Sequence, residues 1–341
     1  ATQPPTRPDD PGGPTGPARE RAMTSGTAVR RATLSSEPLR ALDPTIPPWP
    51  GEQVRVAGTE VFVRHTPGPV DGSGAPALYL HGLGGASTNW TDLAYLLADR
   101  LDADAPDLPG FGRSGPPPGR DYSLAAQVRL AAALIERRDR GPVHLLGNSM
   151  GGAVAVLLAA ARPDLVSTLT LISPAMPALR PRRGSDVSLP LLLLPGLDRL
   201  VGWRMSRMSP EARVRALITL CYAGPGRVPP NRLAEAADEV RRRSQLPWAT
   251  ESVARALRGL VGSYLVRGPG SLWRQAAWIT APTLVIWGTE DKLVDVALAP
   301  RTAAAIQDAR LLVLPRIGHT AQLEDPETVA RAFLGLLAER G

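Results

Sequence analysis

Along the chain, short unbroken apolar runs alternate with longer segments whose apolar residues recur every three or four positions. Residues 77–80, 143–146, 166–172, 283–287 and 311–314 are runs of the first kind. They are too short for helices and are bounded by Gly, Pro or Asp, so they predict buried strands. Residues 90–100, with Leu93, Leu96 and Leu97 on one face, and 123–138 predict amphipathic helices. Residues 153–161 are apolar throughout and predict a buried helix. Val54 and Val56, then Val61 and Val63, flank Gly58 and predict a hairpin, while 101–105 is a weak strand. Strand–helix alternation of this sort predicts an α/β fold with a mostly parallel sheet covered on both faces.

The alternation stops at residue 174 and resumes at 279. The stretch between is helical in pattern, is broken by Pro and Gly, and carries Trp203, Trp248, Trp273, Tyr222 and Tyr264. A helical block between strands of one sheet predicts a cap, with residues 49–173 and 279–341 forming the sheet domain. Within the block, 187–200 is strongly apolar but interrupted by Pro190, Pro195 and Gly196. It fits a greasy lid, and Leu192 and Leu193 are expected to line a substrate pocket. Residues 1–48, rich in Pro, Gly, Thr and Arg without apolar periodicity, are expected to form a disordered tail.

Composition changes this picture little. Of 341 residues, 43% are hydrophobic, enough for a sizeable core. The net charge is +7, yet Lys292 is the only lysine, and the arginines are scattered rather than gathered into a basic-aromatic stripe. No nucleic-acid partner is expected. A lone cysteine, Cys221, excludes an internal disulfide and a cysteine-based metal cluster. No run of 18 apolar residues suggests a membrane span. Arg30-Arg31 is followed by no apolar stretch that would make it a secretion signal, and a cytoplasmic location is expected.

The chemistry centres on Gly147-Asn148-Ser149-Met150-Gly151-Gly152, set between a predicted strand and a predicted helix. A G-x-S-x-G sequence there turns the chain sharply and exposes the serine hydroxyl at the apex, because the glycines let backbone pass without Cβ clashes. The Met150 N–H then opens the helix and points where an oxyanion would form. Serine needs a base within reach. Of four histidines, His65 and His144 lie on strands and His81 in a loop where it braces backbone. His319, after the last strand, is the candidate base. Glu290, Asp291 and Asp295 compete to be the acid that orients it.

These residues resemble the α/β-hydrolase family over about residues 50–340. His81-Gly82-Leu83-Gly84 resembles its oxyanion loop, and Asp107 to Ser114 its D-x-P-G-x-G-x-S loop. Residues 147–152 resemble its nucleophile elbow, and Gly288-Thr289-Glu290-Asp291 and Gly318-His319 its acid and base loops. The resemblance implies an α/β-hydrolase fold with a helical cap and a Ser149–His319–Asp291 triad. It also implies an oxyanion hole from the Leu83 and Met150 N–H groups, and no cofactor. Asn148 beside the serine and Asn89-Trp90 resemble the branch that hydrolyses carbon–carbon bonds of ring-cleavage products, and both asparagines are expected to touch substrate. Thr320 stands where that branch carries Trp, and Ala237 where its carboxylate-binding arginine is expected. An esterase acting on a small to medium hydrophobic ester is therefore the leading expectation. The carbon–carbon hydrolase is the alternative, followed by a non-catalytic binding protein of the same fold.

Overall fold

The computed structural model of the chain describes residues 29–178, 203–204 and 207–339. Leu192 and Leu193, with the rest of the apolar run expected to line a pocket, lie outside the described residues. Among those described, nine strands form one sheet. They are β1 (Arg30–Arg31), β2 (Gly51–Val56), β3 (Thr59–Thr66), β4 (Ala75–Leu80), β5 (Leu101–Pro106), β6 (Val143–Asn148), β7 (Val166–Ile172), β8 (Thr283–Gly288) and β9 (Ala309–Leu314). Their spatial order is β1-β9-β8-β7-β6-β4-β5-β3-β2, parallel throughout except at β2–β3 and β3–β5.

The helices lying wholly within the described residues are α1 (Thr91–Leu97), α2 (Leu124–Arg138), α3 (Met150–Ala161), α4 (Pro210–Cys221), α5 (Pro230–Ser244), α6 (Ala249–Tyr264), α7 (Leu272–Ala276), α8 (Leu298–Ala305), α9 (Ala321–Glu324) and α10 (Pro326–Ala338). Side chains alternate across a strand, so each central strand feeds two cores. Leu78 and Leu80 of β4, Leu145 of β6, and Val285 and Trp287 of β8 pack with α2 and α3. Their neighbours Ala77, Tyr79, Leu146, Leu284 and Ile286 pack with α1 and α10 on the other face. Continuous apolar runs are what a sheet buried on both faces demands, which is why the strands read so plainly. The helix expected over 90–100 is shorter. Trp90 closes a 3₁₀ turn and stacks on Tyr79 at 5.3 Å, and α1 ends at Leu97 to leave room for the turn into β5.

Two segments behave differently from the central sheet. The expectation of a structureless tail to residue 48 fails from residue 29 onward. There the chain pairs with the edge of β9, Arg30 opposite Arg310 and Arg31 opposite Leu311. It then runs across the face of α10, with Ser35 N–H donating to Arg331 O at 2.9 Å, and Ala32, Leu39, Leu42 and Trp49 packing on the second core. An edge strand needs backbone partners rather than apolar periodicity, and the arginines suit it to an exposed edge. Arg30 also bonds Asp308 and Glu339.

The second is the chain between β7 and β8, which carries α4 to α7. Of these, α6 and α7 join the main core through Ala256, Leu260, Leu272 and Ala276. By contrast, α4 and α5 share a small core of their own, Val214, Ile218 and Ala237.

Candidate active site

The strand–turn–helix at residues 143–161 is built by close approach. Ser149 sits at φ 55°, ψ −117°, a conformation that costs a non-glycine residue roughly 1–3 kcal/mol. The surroundings hold it there: its N–H donates to Ile172 O at 3.0 Å, and its carbonyl accepts from Ala153 at 3.0 Å and Ala175 at 2.9 Å. Glycine is required on either side. A Cβ on Gly147 would lie 2.5 Å from Gly151 O, and one on Gly151 would collide with the carbonyls of Leu80 and His81. The Met150 N–H is one of the first four of α3, with no acceptor inside the helix.

The second loop carries Leu83. His81 is fully buried and bridges two loops: Leu108 N–H donates to its Nε2 at 2.9 Å, so Nδ1 carries the proton and donates to Gly82 O at 2.8 Å. Burial lowers its pKa, opposed by the nearby Asp107 charge, and its two ring nitrogens are both engaged with backbone. Asp107 organises its own loop, its carboxylate accepting from Ser87 N–H at 2.6 Å and Arg113 N–H at 2.7 Å. Ser114 closes that loop by donating to Asp107 O at 2.6 Å. Neither Leu83 nor Met150 has a backbone acceptor for its N–H among the described residues.

The loops that carry Asp291 and His319 are zipped together. Glu290 N–H donates to Ile317 O at 2.9 Å and Arg316 N–H to Thr289 Oγ1 at 3.0 Å. Gly288 allows this because a Cβ there would strike the carbonyls of Ile317 and Gly318. His319 Nδ1 donates to Asp291 Oδ2 at 2.8 Å, with both side chains buried. Asp291 Oδ1 accepts from Leu293 at 2.8 Å and Val294 at 2.9 Å. Burial alone would push this carboxyl up, but the His319 charge and these hydrogen bonds outweigh it and hold it below the usual carboxylate range. Of the other two candidates, Glu290 is exposed and Asp295 accepts from Ala297 N–H at 3.0 Å.

Two expected substrate contacts have other work. The Asn148 amide is buried and spends both protons on backbone, donating to Ile172 O at 3.0 Å and His319 O at 3.1 Å. It therefore joins the serine turn to the histidine loop and has no N–H left for a substrate. Asn89 Oδ1 accepts from Ala86 N–H at 3.0 Å and closes the loop after Gly85. His65 bonds Asp104 at 3.0 Å, and His144 bonds Thr168 at 2.7 Å with its ring edge-on to Phe333.

Two residues are given no site role by the sequence. Arg243, at the end of α5, donates to Gly84 O at 2.5 Å beside the Leu83 loop and lies over the Phe111 ring. Burial lowers its pKa, with the charges of Glu239 and Asp107 opposing. Ala237, where the arginine was expected, is buried in the small α4–α5 core. The other is Glu324, whose carboxylate accepts from Gly318 N–H at 2.7 Å, next to the histidine. Its only signal in the sequence was a carboxylate five positions after His319. Among the described residues, no group of three or more His, Cys, Asp or Glu side chains converges as a metal-ligand set.

The family profile described as alpha/beta hydrolase fold matches residues 76–326. The 2-hydroxy-6-oxononadienedioate/2-hydroxy-6-oxononatrienedioate hydrolase of Cupriavidus pinatubonensis is 29% identical over 306 residues, 84% of this chain and 98% of that one. Monoacylglycerol lipase abhd6-A of Xenopus laevis is 27% identical over 271 residues, 78% of this chain and 76% of that one. Among solved structures, a membrane phospholipase A superposes with a TM-score of 0.68 at 26% identity, covering 86% of each chain.

Proposed function

The chain belongs to the α/β-hydrolase family, and we propose that it works there as a serine hydrolase cleaving esters of small to medium hydrophobic substrates. The observation that carries this reading is the buried His319–Asp291 pair, bonded at 2.8 Å and tied through the Asn148 amide to the turn that presents Ser149. In it, the Ser149 hydroxyl attacks the ester carbonyl and His319 takes its proton. The Leu83 and Met150 N–H groups receive the oxyanion, and each such donor is worth about 3 kcal/mol of barrier. Collapse breaks the acyl C–O bond, and the His319 proton leaves with the alcohol. A water, deprotonated by His319, then attacks the acyl-enzyme, and the acid departs as Ser149 recovers its proton. Asp291 orients the imidazole and stabilises its charged form. The helices between β7 and β8 act as the cap over this site.

Arg243 favours a second reading. A guanidinium beside the Gly84 carbonyl would hold a substrate carboxylate next to the oxyanion loop. That suits a dienoate cleaved at a carbon–carbon bond, and the Cupriavidus relative is named as a hydrolase of dienedioate and trienedioate substrates.

The experiment is a panel of p-nitrophenyl esters set against a ring-cleavage dienoate, with fluorophosphonate labelling as the test for a reactive serine. The first reading expects ester turnover and labelling, both lost in Ser149→Ala, with a fall in kcat of roughly 10⁴-fold or more. Turnover of the dienoate alone, abolished by Arg243→Met, would move the assignment to carbon–carbon hydrolysis. Unlabelled protein inert to both substrates would leave a binding protein of this fold.

A further inference from the structure

The acid–base pair is tied to α4 and the turn that follows it, and one buried carboxylate collects most of the ties. Glu324 ends α9, five residues beyond His319, and its side chain is 2% exposed. Oε1 accepts from Gly318 N–H at 2.7 Å and Ala223 N–H at 3.2 Å. Oε2 accepts from Ala223 N–H at 3.0 Å and Gly224 N–H at 3.4 Å, with the Arg227 guanidinium at 3.5 Å. Arg227 also donates to Arg316 O at 2.8 Å.

The next backbone group along the histidine loop points the same way. His319 N–H donates to Cys221 O, the last residue of α4, at 2.7 Å. On the acid side, Lys292 Nζ donates to Thr219 O at 2.6 Å and Tyr222 O at 3.2 Å, the carbonyl end of the same helix. Space is tight enough that a Cβ on Gly318 would lie 2.7 Å from both Glu324 Oε1 and Ala223 N. Burying a carboxylate is costly unless hydrogen bonds replace its water. Burial does push the Glu324 carboxyl up, against its three backbone donors and Arg227. An apolar side chain would fill the space at less cost, but it could not accept N–H groups from two loops about a hundred residues apart in sequence.

We propose that Glu324 is a positioning residue for His319, clamping the Gly318 N–H and the Ala223–Gly224 backbone so that the imidazole is held only while the end of α4 is seated. The inference rests on His319 being the base of the proposed hydrolase. Glu324→Gln keeps the volume but turns one accepting edge into a donor that faces backbone N–H groups, so the clamp opens without a cavity. Glu324→Asp keeps the charge at shorter reach.

The test uses the full chain as wild type, Glu324→Gln and Glu324→Asp. Three quantities are read: kcat and KM on p-nitrophenyl butyrate from pH 5 to 9, the rate of fluorophosphonate labelling, and the low-field proton of the His319–Asp291 hydrogen bond by NMR. The clamp predicts that Glu324→Gln lowers kcat about tenfold to a hundredfold, the scale of a misplaced catalytic group. KM should change by about twofold at most. The acid limb of the pH profile should move, and the low-field proton should broaden or vanish. Glu324→Asp should recover part of each. A folded Glu324→Gln protein with wild-type kcat, pH limb and low-field proton overturns the clamp. If the wild type neither labels nor hydrolyses ester, the hydrolase reading fails by itself. The low-field proton still decides the clamp: lost in Glu324→Gln it stands, unchanged it falls. If Glu324→Gln does not fold, Glu324→Asp carries the same readouts.

Discussion

Helices α3 and α5 flank the two loops that meet at Ser149, yet they are held in opposite ways. In α3, nine of 12 residues are buried, Ala153 to Val156 completely, and the helix packs on β6 and β7 through apolar contact alone. In α5, one of 15 residues is buried, Ala237. Its attachment to the sheet domain is polar: Arg232 to Asp92 at 2.5 Å and to Ile46 O at 3.0 Å, Arg242 to Gly112 O, and Arg243 to Gly84 O. Apolar burial has no direction and adds with area, so it fixes the serine turn permanently. A set of directed bonds around a few arginines can be broken one by one and reformed. Ser149 thus sits on an apolar-packed part of the molecule, and α5 is expected to open locally while the sheet stays folded.

Perturbing each side separately should break or sharpen this contrast. The largest effect is expected from Leu158→Ala, in the fully buried part of α3. It should cost about 2–5 kcal/mol of global stability, read as a drop in the urea midpoint. A smaller, local effect is expected from Arg232→Met, which leaves Asp92 without its guanidinium. The pair is nearly but not fully buried, so about 1–3 kcal/mol is the scale. Limited proteolysis should speed up at α4 and α5 while the urea midpoint scarcely moves. An equal fall in the global midpoint would mean that the two parts unfold together and the contrast is false.

Next comes the strap along β9. Deleting residues 1–45 removes β1 and the partly buried Ala32, Leu39 and Leu42. Compared with deleting 1–28, it should cost about 1–2 kcal/mol and raise the tendency to aggregate, because the edge of β9 is uncovered. The smallest effect is a pH dependence. The folded Asp291 carboxyl lies below its unfolded value, so its contribution to stability is complete above the unfolded pKa of about 3.9. That contribution is lost as the pH falls through the lower folded value. The gap in melting temperature between wild type and Asp291→Asn should therefore be present at about pH 5 and close below about pH 4. A gap that persists in acid would show that Asn misfits the loop instead.

The serine turn and the central strands were legible because local chemistry specifies them. Gly147 and Gly151 are required by backbone contacts within a few residues or with the neighbouring strand, and β6 and β8 are buried on both faces, so apolar runs mark them. The strap was not legible: Arg30 and Arg31 become a strand only because β9 offers an unpaired edge at residues 310–311. Asn148 looked available to a substrate until Ile172 O and His319 O took both of its amide protons.

By itself, then, the sequence determined the α/β alternation and the turn at Ser149, since both depend on spacing along the chain or on which residue types a turn can hold. The family resemblance named Asp291, but only the tertiary structure decided that its carboxylate meets His319, which arginine of α5 reaches the Leu83 loop, and that Glu324 gathers the ends of α4 and the histidine loop. Those pairings join segments tens to hundreds of residues apart. A hydrogen bond forms only within about 3 Å, and nothing in a local pattern measures that distance.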